Sequence, residues 1–183
     1  MQGQGYLREQ LDSIVRQTHH NWTIWVSDDG SSDDTHTILR EYRAKLGESR
    51  LFIHSGPSDG FAANFLSLAC NAGITADYYA FADQDDVWES DKLAHALHWL
   101  QTVPSHLPAL YCGRTRSVDA NNQDIGFSPL FTKPPCFTNA LVQSIAGGNT
   151  MMFNNAARRF LRKAGADVKV VSHDWWAYLI VSG

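Results

Sequence analysis

Cysteine is scarce in this sequence, and the few cysteines are far apart. The 183 residues include only Cys70, Cys112 and Cys136. An odd number of widely spaced cysteines excludes a disulfide framework and the paired ligands of a zinc knuckle, and it is typical of a reducing compartment. We therefore expect a cytoplasmic protein.

A long apolar run and an excess of positive charge are also missing. No stretch reaches the roughly 18 apolar residues that span a bilayer, and residues 1–6 are polar and glycine-rich, unlike a secretory signal. The 15 Lys and Arg are outnumbered by 19 Asp and Glu, which gives a net charge of −4. This balance argues against nucleic acid as a partner, because its electrostatic capture needs clustered Lys and Arg. We expect neither a transmembrane segment nor nucleic-acid binding.

The sequence does contain enough apolar residues for a core, arranged in alternating strand and helix patterns. It is 44% apolar and 19% charged, which excludes a disordered tail. Short β-rich runs over 23–27, 51–54 and 78–82 are separated by segments with helical spacing. Strands and helices that alternate in this way form right-handed βαβ units. We predict an α/β domain with a mostly parallel sheet and helices on both faces.

Acidic clusters follow two of the predicted strands. Asp28 and Asp29 end the first strand, and Asp83-Gln84-Asp85-Asp86 follows the strand over 78–82. Ligands of such sheets bind beyond the carboxyl ends of the strands. Two carboxylates one residue apart suit Mg²⁺ or Mn²⁺, which prefer oxygen ligands and neutralise charge on a leaving diphosphate. The alternative for Asp83–Asp86 is a solvated helix N-terminus, where acids are ordinary.

Two further interpretations also remain open. Asp28 and Asp29 suit hydrogen bonds from a nucleobase or a ribose, whereas the alternative is a turn in which Asp, Ser and Gly cap the next helix. Asp174, between His173 and two tryptophans, suits a general base acting on a hydroxyl. Its alternative role is a helix N-cap beside core indoles.

The second half of the chain has a weaker pattern. A glycine-rich approach to a strand spans 145–153, and Asn154 or Asn155 is placed to cap a helix that runs through Lys163. The other predicted features are strands over 109–112 and 168–171, a turn or hairpin over 118–122, and a loop over 126–135.

The motifs, in their order, resemble the family 2 inverting glycosyltransferases, which have the GT-A nucleotide-sugar-binding fold. The resemblance rests on residues 6–14, on Gln17-Thr18 with Asp28–Thr35, on Asp83–Trp88 with Asp91-Lys92-Leu93, on Gly147–Thr150 and on His173–Trp176. It covers nearly the whole chain. The pattern is most similar to the rhamnosyltransferase-like branch that builds bacterial surface polysaccharides.

The resemblance implies a role for each motif. It implies a UDP- or dTDP-sugar as donor, Mn²⁺ or Mg²⁺ as cofactor, and a glycan or lipid-linked acceptor at the inner face of the membrane. In these terms Asp174 is the catalytic base, and Asp85 with Asp83 binds the metal. The nucleotide-sugar residues it implies are Asp28, Asp29, Gly60, Asn64, Asp83, Gly147, Gly148 and Asn149, and the acceptor residues are Trp175 and His173.

Against the family pattern, the sequence lacks a first strand before residues 6–14 and a segment after Gly183. We therefore expect a truncated chain: one domain over 1–183, with a nucleotide-binding half over 1–100 and an acceptor and catalytic-base half over 101–183. The alternatives are a non-catalytic remnant of the same fold and a sugar nucleotidyltransferase. The latter would need a basic phosphate loop near its start, where only Arg8 and Arg16 are available. A response-regulator receiver is rejected, because the strand over 51–54 does not end in a phosphoacceptor Asp.

Overall fold

The computed structural model describes residues 3–119, 121 and 123–183. The helices are α1 (Leu7–Val15), α2 (Thr35–Leu46), α3 (Phe61–Cys70), α4 (Lys92–Leu100), α5 (Phe137–Ala140), α6 (Asn155–Ala164) and α7 (His173–Ser182). The strands are β1 (Ile24–Asp28), β2 (Leu51–Ser55), β3 (Tyr78–Ala80), β4 (Leu110–Tyr111), β5 (Arg116–Val118), β6 (Asp124–Phe127) and β7 (Met152–Asn154). The predicted α/β class is confirmed.

The strands pair in both directions. β1 and β2 are parallel, as predicted for strands joined by a helix. β7 lies between β3 and β4 and is antiparallel to both, so the predicted parallel pairing holds for β1 and β2 and does not extend to β7. The reason is the entry point of β7. Its chain arrives through the 3-10 turn Gly148–Thr150 at the edge where β3 ends, and it therefore runs back along β3.

The helices of the first half follow their apolar spacing. Leu7, Leu11 and Ile14 on one face of α1 are buried, as residues three or four apart should be. α2 ends at Gly47, whose φ of 96° favours glycine over any side chain. α6 begins after Asn154, whose side chain accepts a hydrogen bond from the Ala157 N–H at 2.9 Å. These boundaries confirm the predictions for α1, α2 and α6.

Two predictions for the second half need revision. Residues 168–171 do not form a strand: Val171 is 79% exposed, and β-branched residues favour a strand where a neighbouring strand packs against them. The predicted loop over 126–135 begins inside β6, which pairs with β5 in a hairpin. The turn or hairpin predicted over 118–122 matches the connection between β5 and β6, although positions 120 and 122 lie outside the described residues. Helix α5 carries too short an apolar pattern to be predicted.

One strand pair joins the two halves of the chain. β3 belongs to the first half of the chain and β7 to the second, so the halves predicted over 1–100 and 101–183 share one sheet. In the part of the chain that the structure describes, no helix has the length and apolar character needed to cross a membrane.

Candidate active site

Asp28 lies at the carboxyl end of β1 and is held as a carboxylate. Its Oδ2 accepts hydrogen bonds from the Ser31 N–H and from His36 Nε2, each at 3.0 Å, and the side chain is only 8% exposed. Burial by itself would raise the pKa of Asp28, but the hydrogen bonds from Ser31 and the nearby His36 outweigh burial and lower it. An ionised acid therefore stands at this end of the sheet.

The turn after β2 packs tightly against β1. Asp29 Oδ1 accepts the Ser58 N–H at 2.5 Å, and the Gly56 N–H donates to the Asp28 carbonyl at 2.6 Å. A Cβ at Gly56 would lie 2.5 Å from both Asp29 Oδ1 and Asn64 Oδ1, so this approach requires glycine. The two acids are thus fixed in position by backbone groups of two loops.

Asn64 and Gly60, which the resemblance places on the nucleotide side, lie at the start of α3. The Asn64 side chain accepts from Ser27 Oγ at 2.5 Å and donates to the Ser27 carbonyl at 3.0 Å. Gly60 is exposed and precedes α3 with φ of 86°. Asn64 therefore ties α3 to β1, and Gly60 forms the exposed turn beside it.

The acidic motif after β3 gathers carboxylates that are far apart in sequence. Burial and the negative charges of Asp86, Asp85 and Asp174 together raise the pKa of Asp83 to about 6, although Lys92 opposes them. Asp174 therefore lies within the electrostatic field of a motif about ninety residues earlier in the chain. Asp85 is exposed, whereas Asp83 is half-buried.

Lys92 is the positively charged residue beside the acidic motif, and its role could not be predicted from the sequence. Its Nζ donates to the Asn149 carbonyl at 2.5 Å and lies 3.5 Å from the centroid of the Trp88 ring. Burial lowers the pKa of Lys92 to about 7, although Asp86 and Asp83 favour its charged form. Asp86, also unassigned, receives a hydrogen bond from the Asn149 side chain; burial and Asp85 nevertheless raise its pKa. Lys92 and Asp86 both belong to motifs on which the family resemblance rests, and that membership is the sequence feature that could have pointed to them.

The segment Gly147–Thr150, called the glycine loop below, lies directly against Asp174. The Gly148 N–H donates to Asp174 Oδ2 at 3.0 Å, and the Trp175 N–H donates to Oδ1 at 2.7 Å. The N-cap position of α7 belongs to Ser172, and Asp174 stands in the first helical turn. Gly147 is exposed at the start of the loop. The structure thus brings Asp174, Gly148 and Asn149 together with the acidic motif.

His173 does not suit its predicted contact with an acceptor. It is 4% exposed, stacks on Phe65 at 3.8 Å between ring centroids, and meets Phe81 edge-on at 4.7 Å. Burial lowers its pKa to about 4 although Asp174 favours the charged form. A Cβ at Gly148 would lie 2.5 Å from His173 Nε2. His173 is therefore a neutral packing residue beneath the glycine loop, because apolar rings surround it.

The two tryptophans after Asp174 have different environments. Trp175 is half-buried, and its Nε1 donates to the Ala140 carbonyl at 2.6 Å. Trp176 packs against the buried cluster that includes Phe153 and Tyr178. An open, largely apolar groove of about 280 Å³ runs beside them, lined by residues that include Ala140, Leu141, Val170, Trp175, Trp176 and Leu179.

Helix α3 packs against elements from both parts of the site. It contacts β1 through Asn64, and its Phe65 stacks on His173 of α7. Asp28, at the end of β1, and Asp174, in α7, thus lie on two elements that share α3 as a neighbour. Near the start of the described chain, Gly3 donates its N–H to Thr35 Oγ1 at 3.1 Å, and a Cβ there would lie 3.6 Å from Gln84 Cγ.

The residues after β3 fit a divalent cation that is shared with a ligand. Among residues 3–119, 121 and 123–183, no group of three or more His, Cys, Asp or Glu is arranged to hold a metal ion. Mg²⁺ and Mn²⁺ commonly take only one or two protein carboxylates and complete their shell with phosphate and water. Exposed Asp85 and half-buried Asp83, whose pKa is raised by burial and by the neighbouring carboxylates, match that arrangement.

The fold and the site define an α/β domain with acidic groups at the carboxyl ends of its strands, where open α/β sheets bind nucleotide ligands. A family model described as glycosyl transferase family 2 matches residues 2–164. The chain belongs to this family, and the resemblance seen in the sequence is confirmed.

Named relatives share the sequence over different lengths. The dTDP-rhamnosyl transferase RfbG of Shigella flexneri is 28% identical over 186 residues, which cover 96% of this chain and 62% of RfbG. The Escherichia coli protein WfaP, a UDP-Glc:alpha-D-GlcNAc-diphosphoundecaprenol beta-1,3-glucosyltransferase, is 30% identical over 50% of this chain and 35% of its own length. The chain therefore spans less than two thirds of each of these relatives.

Solved structures show the same fold. The crystal structure of residues 1–349 of S. aureus TarS matches 98% of this chain and 52% of its own chain, with a TM-score of 0.67 and 17% identity. The structure of the same protein in complex with UDP matches with a TM-score of 0.61.

Proposed function

We propose that the chain is the nucleotide-sugar-binding part of a metal-dependent inverting glycosyltransferase of surface polysaccharide synthesis. The donor is a UDP- or dTDP-sugar, and the acceptor is a glycan or a lipid-linked sugar at the inner face of the membrane. The names of RfbG and WfaP and the UDP complex of TarS support this substrate class. The observation that carries the proposal is the position of Asp174, which accepts a hydrogen bond from the glycine loop and lies close enough to the acidic motif to raise the pKa of Asp83.

The donor is held between the two acidic regions. Asp28 and Asp29 accept hydrogen bonds from the base and the ribose, and their fixed loops orient them for this task. A divalent cation held by Asp85 and Asp83 would neutralise the charge that develops on the leaving diphosphate. Gly148 leaves space beneath the donor sugar, where a side chain would collide with His173.

Asp174 removes the proton from the acceptor hydroxyl. The hydroxyl oxygen attacks the anomeric carbon from the face opposite the diphosphate, so one displacement inverts that carbon without a covalent sugar–enzyme intermediate. The backbone N–H groups of Gly148 and Trp175 fix the orientation of the Asp174 carboxylate. When the acceptor hydroxyl replaces one of these N–H groups as a hydrogen-bond partner, that oxygen of Asp174 is free to accept the hydroxyl proton.

Replacement of Asp174 by Asn tests the proposal. General-base assistance contributes roughly 10²–10⁴-fold, and Asp174→Asn should lose about that factor in transfer from UDP- or dTDP-sugars. Its melting temperature should fall by only about 2–4 °C, because Asn still accepts one of the two N–H groups that Asp174 accepts. Exposed Asp77 provides the matched control, Asp77→Asn. A variant that transfers sugar at the wild-type rate, or a retained anomeric configuration in the product, would refute the assigned role.

A further inference from the structure

Lys92 makes an unusual connection between two parts of the site. It is the first residue of α4, yet its side chain crosses to the glycine loop and donates to the carbonyl of Asn149 at 2.5 Å. Its Nζ also lies over the Trp88 ring, 3.5 Å from the ring centroid. Trp88 is itself 8% exposed. Because the aromatic face attracts the amino group, the side chain is restrained in this direction.

The backbone that carries Lys92 is anchored by two fully buried polar residues at the end of α1. The Trp88 N–H donates to Ser13 Oγ at 2.9 Å, and the Leu93 N–H donates to Gln17 Oε1 at 3.0 Å. Gln17 Nε2 also donates to the Glu89 carbonyl at 2.7 Å. Buried polar groups of this kind are costly unless paired, so this pairing makes the segment rigid on both sides of Lys92.

The opposite end of the Lys92 contact is the loop that supports Asp174. Asn149 is attached twice, through its carbonyl to Lys92 and through its side chain to Asp86. The preceding residue, Gly148, donates its N–H to Asp174 Oδ2. A continuous set of contacts therefore runs from the acidic motif through Lys92 and Asn149 to Asp174.

We propose that Lys92 is a positioning residue that holds the glycine loop, and through it Asp174, in register with the acidic motif. The expected effect of Lys92 on the rate of sugar transfer rests on the proposed glycosyltransferase function. The contact itself belongs to the folded chain. Loss of the Lys92 amino group should therefore loosen the loop whether or not a donor is bound.

Lys92→Met tests this assignment, because methionine keeps an unbranched side chain of similar volume and removes the amino group. The first readout is hydrogen exchange of the Gly148, Thr150 and Met151 amides, which donate to Asp174 Oδ2, to the Gly147 carbonyl and to the Gly148 carbonyl. Exchange there should become roughly tenfold faster, the change expected when about one hydrogen bond is lost. Lys45→Met is the matched control, because Lys45 also lies over an aromatic ring, that of Tyr42 in α2.

The second readout separates positioning from folding. Loss of a residue that orients site ligands typically costs roughly 10–100-fold in activity, so kcat should fall by that factor in Lys92→Met. The affinity for UDP alone should stay within about twofold, because Asp28 and Asp29 hold the base and ribose. Lys92→Gln, which is neutral and shorter, should give the same result if Lys92→Met does not fold.

The outcomes distinguish the two proposals. Faster exchange confined to the loop supports the role of Lys92 even if the wild type transfers no sugar, a result that would overturn the proposed function alone. Unchanged loop exchange in both variants overturns the positioning role, whether or not the wild type is active, and so does an unchanged kcat in an active protein. Faster exchange in α2 as well as in the loop also overturns it, because Lys92 would then act on the fold as a whole.

Discussion

Asp83 should destabilise the protein at neutral pH, and Asp83→Asn should relieve that cost. Asp83 is half-buried and lies within the field of three other carboxylates, which with burial raise its pKa to about 6 from an ordinary 3.8. A group whose pKa is higher in the folded state binds its proton more tightly there. Folding therefore becomes less favourable as pH rises through that interval.

The size of the effect follows from the two pKa values. At about 1.4 kcal/mol per pKa unit, the shift to about 6 corresponds to roughly 3 kcal/mol, lost between about pH 4 and pH 6. Asp83→Asn has no carboxylate to ionise. It should match the wild type near pH 4 and be more stable by up to about 3 kcal/mol at pH 7.

Urea denaturation followed by tryptophan fluorescence, repeated from pH 4 to pH 8, measures this difference. Asp77→Asn, at an exposed acid, should show no such pH-dependent gain. Mn²⁺ with UDP should stabilise the wild type more than Asp83→Asn, since the variant lacks one carboxylate of the proposed cation site. An Asp83→Asn protein that is less stable than the wild type at pH 7 would refute the electrostatic argument.

Two further predictions concern buried groups outside the acidic motif. His173 is neutral in the folded state with a pKa of about 4, so its own contribution to stability should fall by about 3 kcal/mol as pH drops from 6.5 to 4, opposite in sign to the gain from Asp83. His173→Phe should therefore gain up to about that amount of stability relative to the wild type over this interval, and a constant difference between the two proteins would contradict it. Arg158 is 2% exposed and donates to the carbonyls of Ala69, Asn71 and Ile74. Arg158→Met should therefore lose about 3 kcal/mol or more in urea denaturation, whereas a loss below about 1 kcal/mol would argue against this anchoring.

The local elements of the first half are predictable from the sequence because their signals are local. The apolar spacing of Leu7, Leu11 and Ile14 predicts α1, and Gly47 ends α2 as its position suggests. The direction of β7 is not encoded in its three residues. It depends on the side of the sheet from which the chain arrives, which is set by the turn at Gly148.

The candidate site is predictable in its residue types and less so in its contacts. The resemblance named Asp28, Asp83 and Asp174, and the structure places Asp174 within the field of Asp83. Lys92 and Asp86 both bind Asn149 of the glycine loop, which lies about sixty residues further along the chain. Spacing alone does not reveal such a pairing. The burial of His173 against Phe65 of α3 and against Phe81 is a tertiary property, which the sequence does not reveal.

Calorimetric titration of the folded chain with UDP and dTDP, each with and without Mn²⁺, tests most directly whether these acidic groups form one nucleotide-sugar site. We predict that the chain binds at least one of the two nucleotides, and that this binding weakens markedly when Mn²⁺ is removed or when Asp85 is replaced by Asn. A folded protein that binds neither nucleotide with Mn²⁺ present, or whose binding is the same in the Asp85→Asn variant, would contradict it.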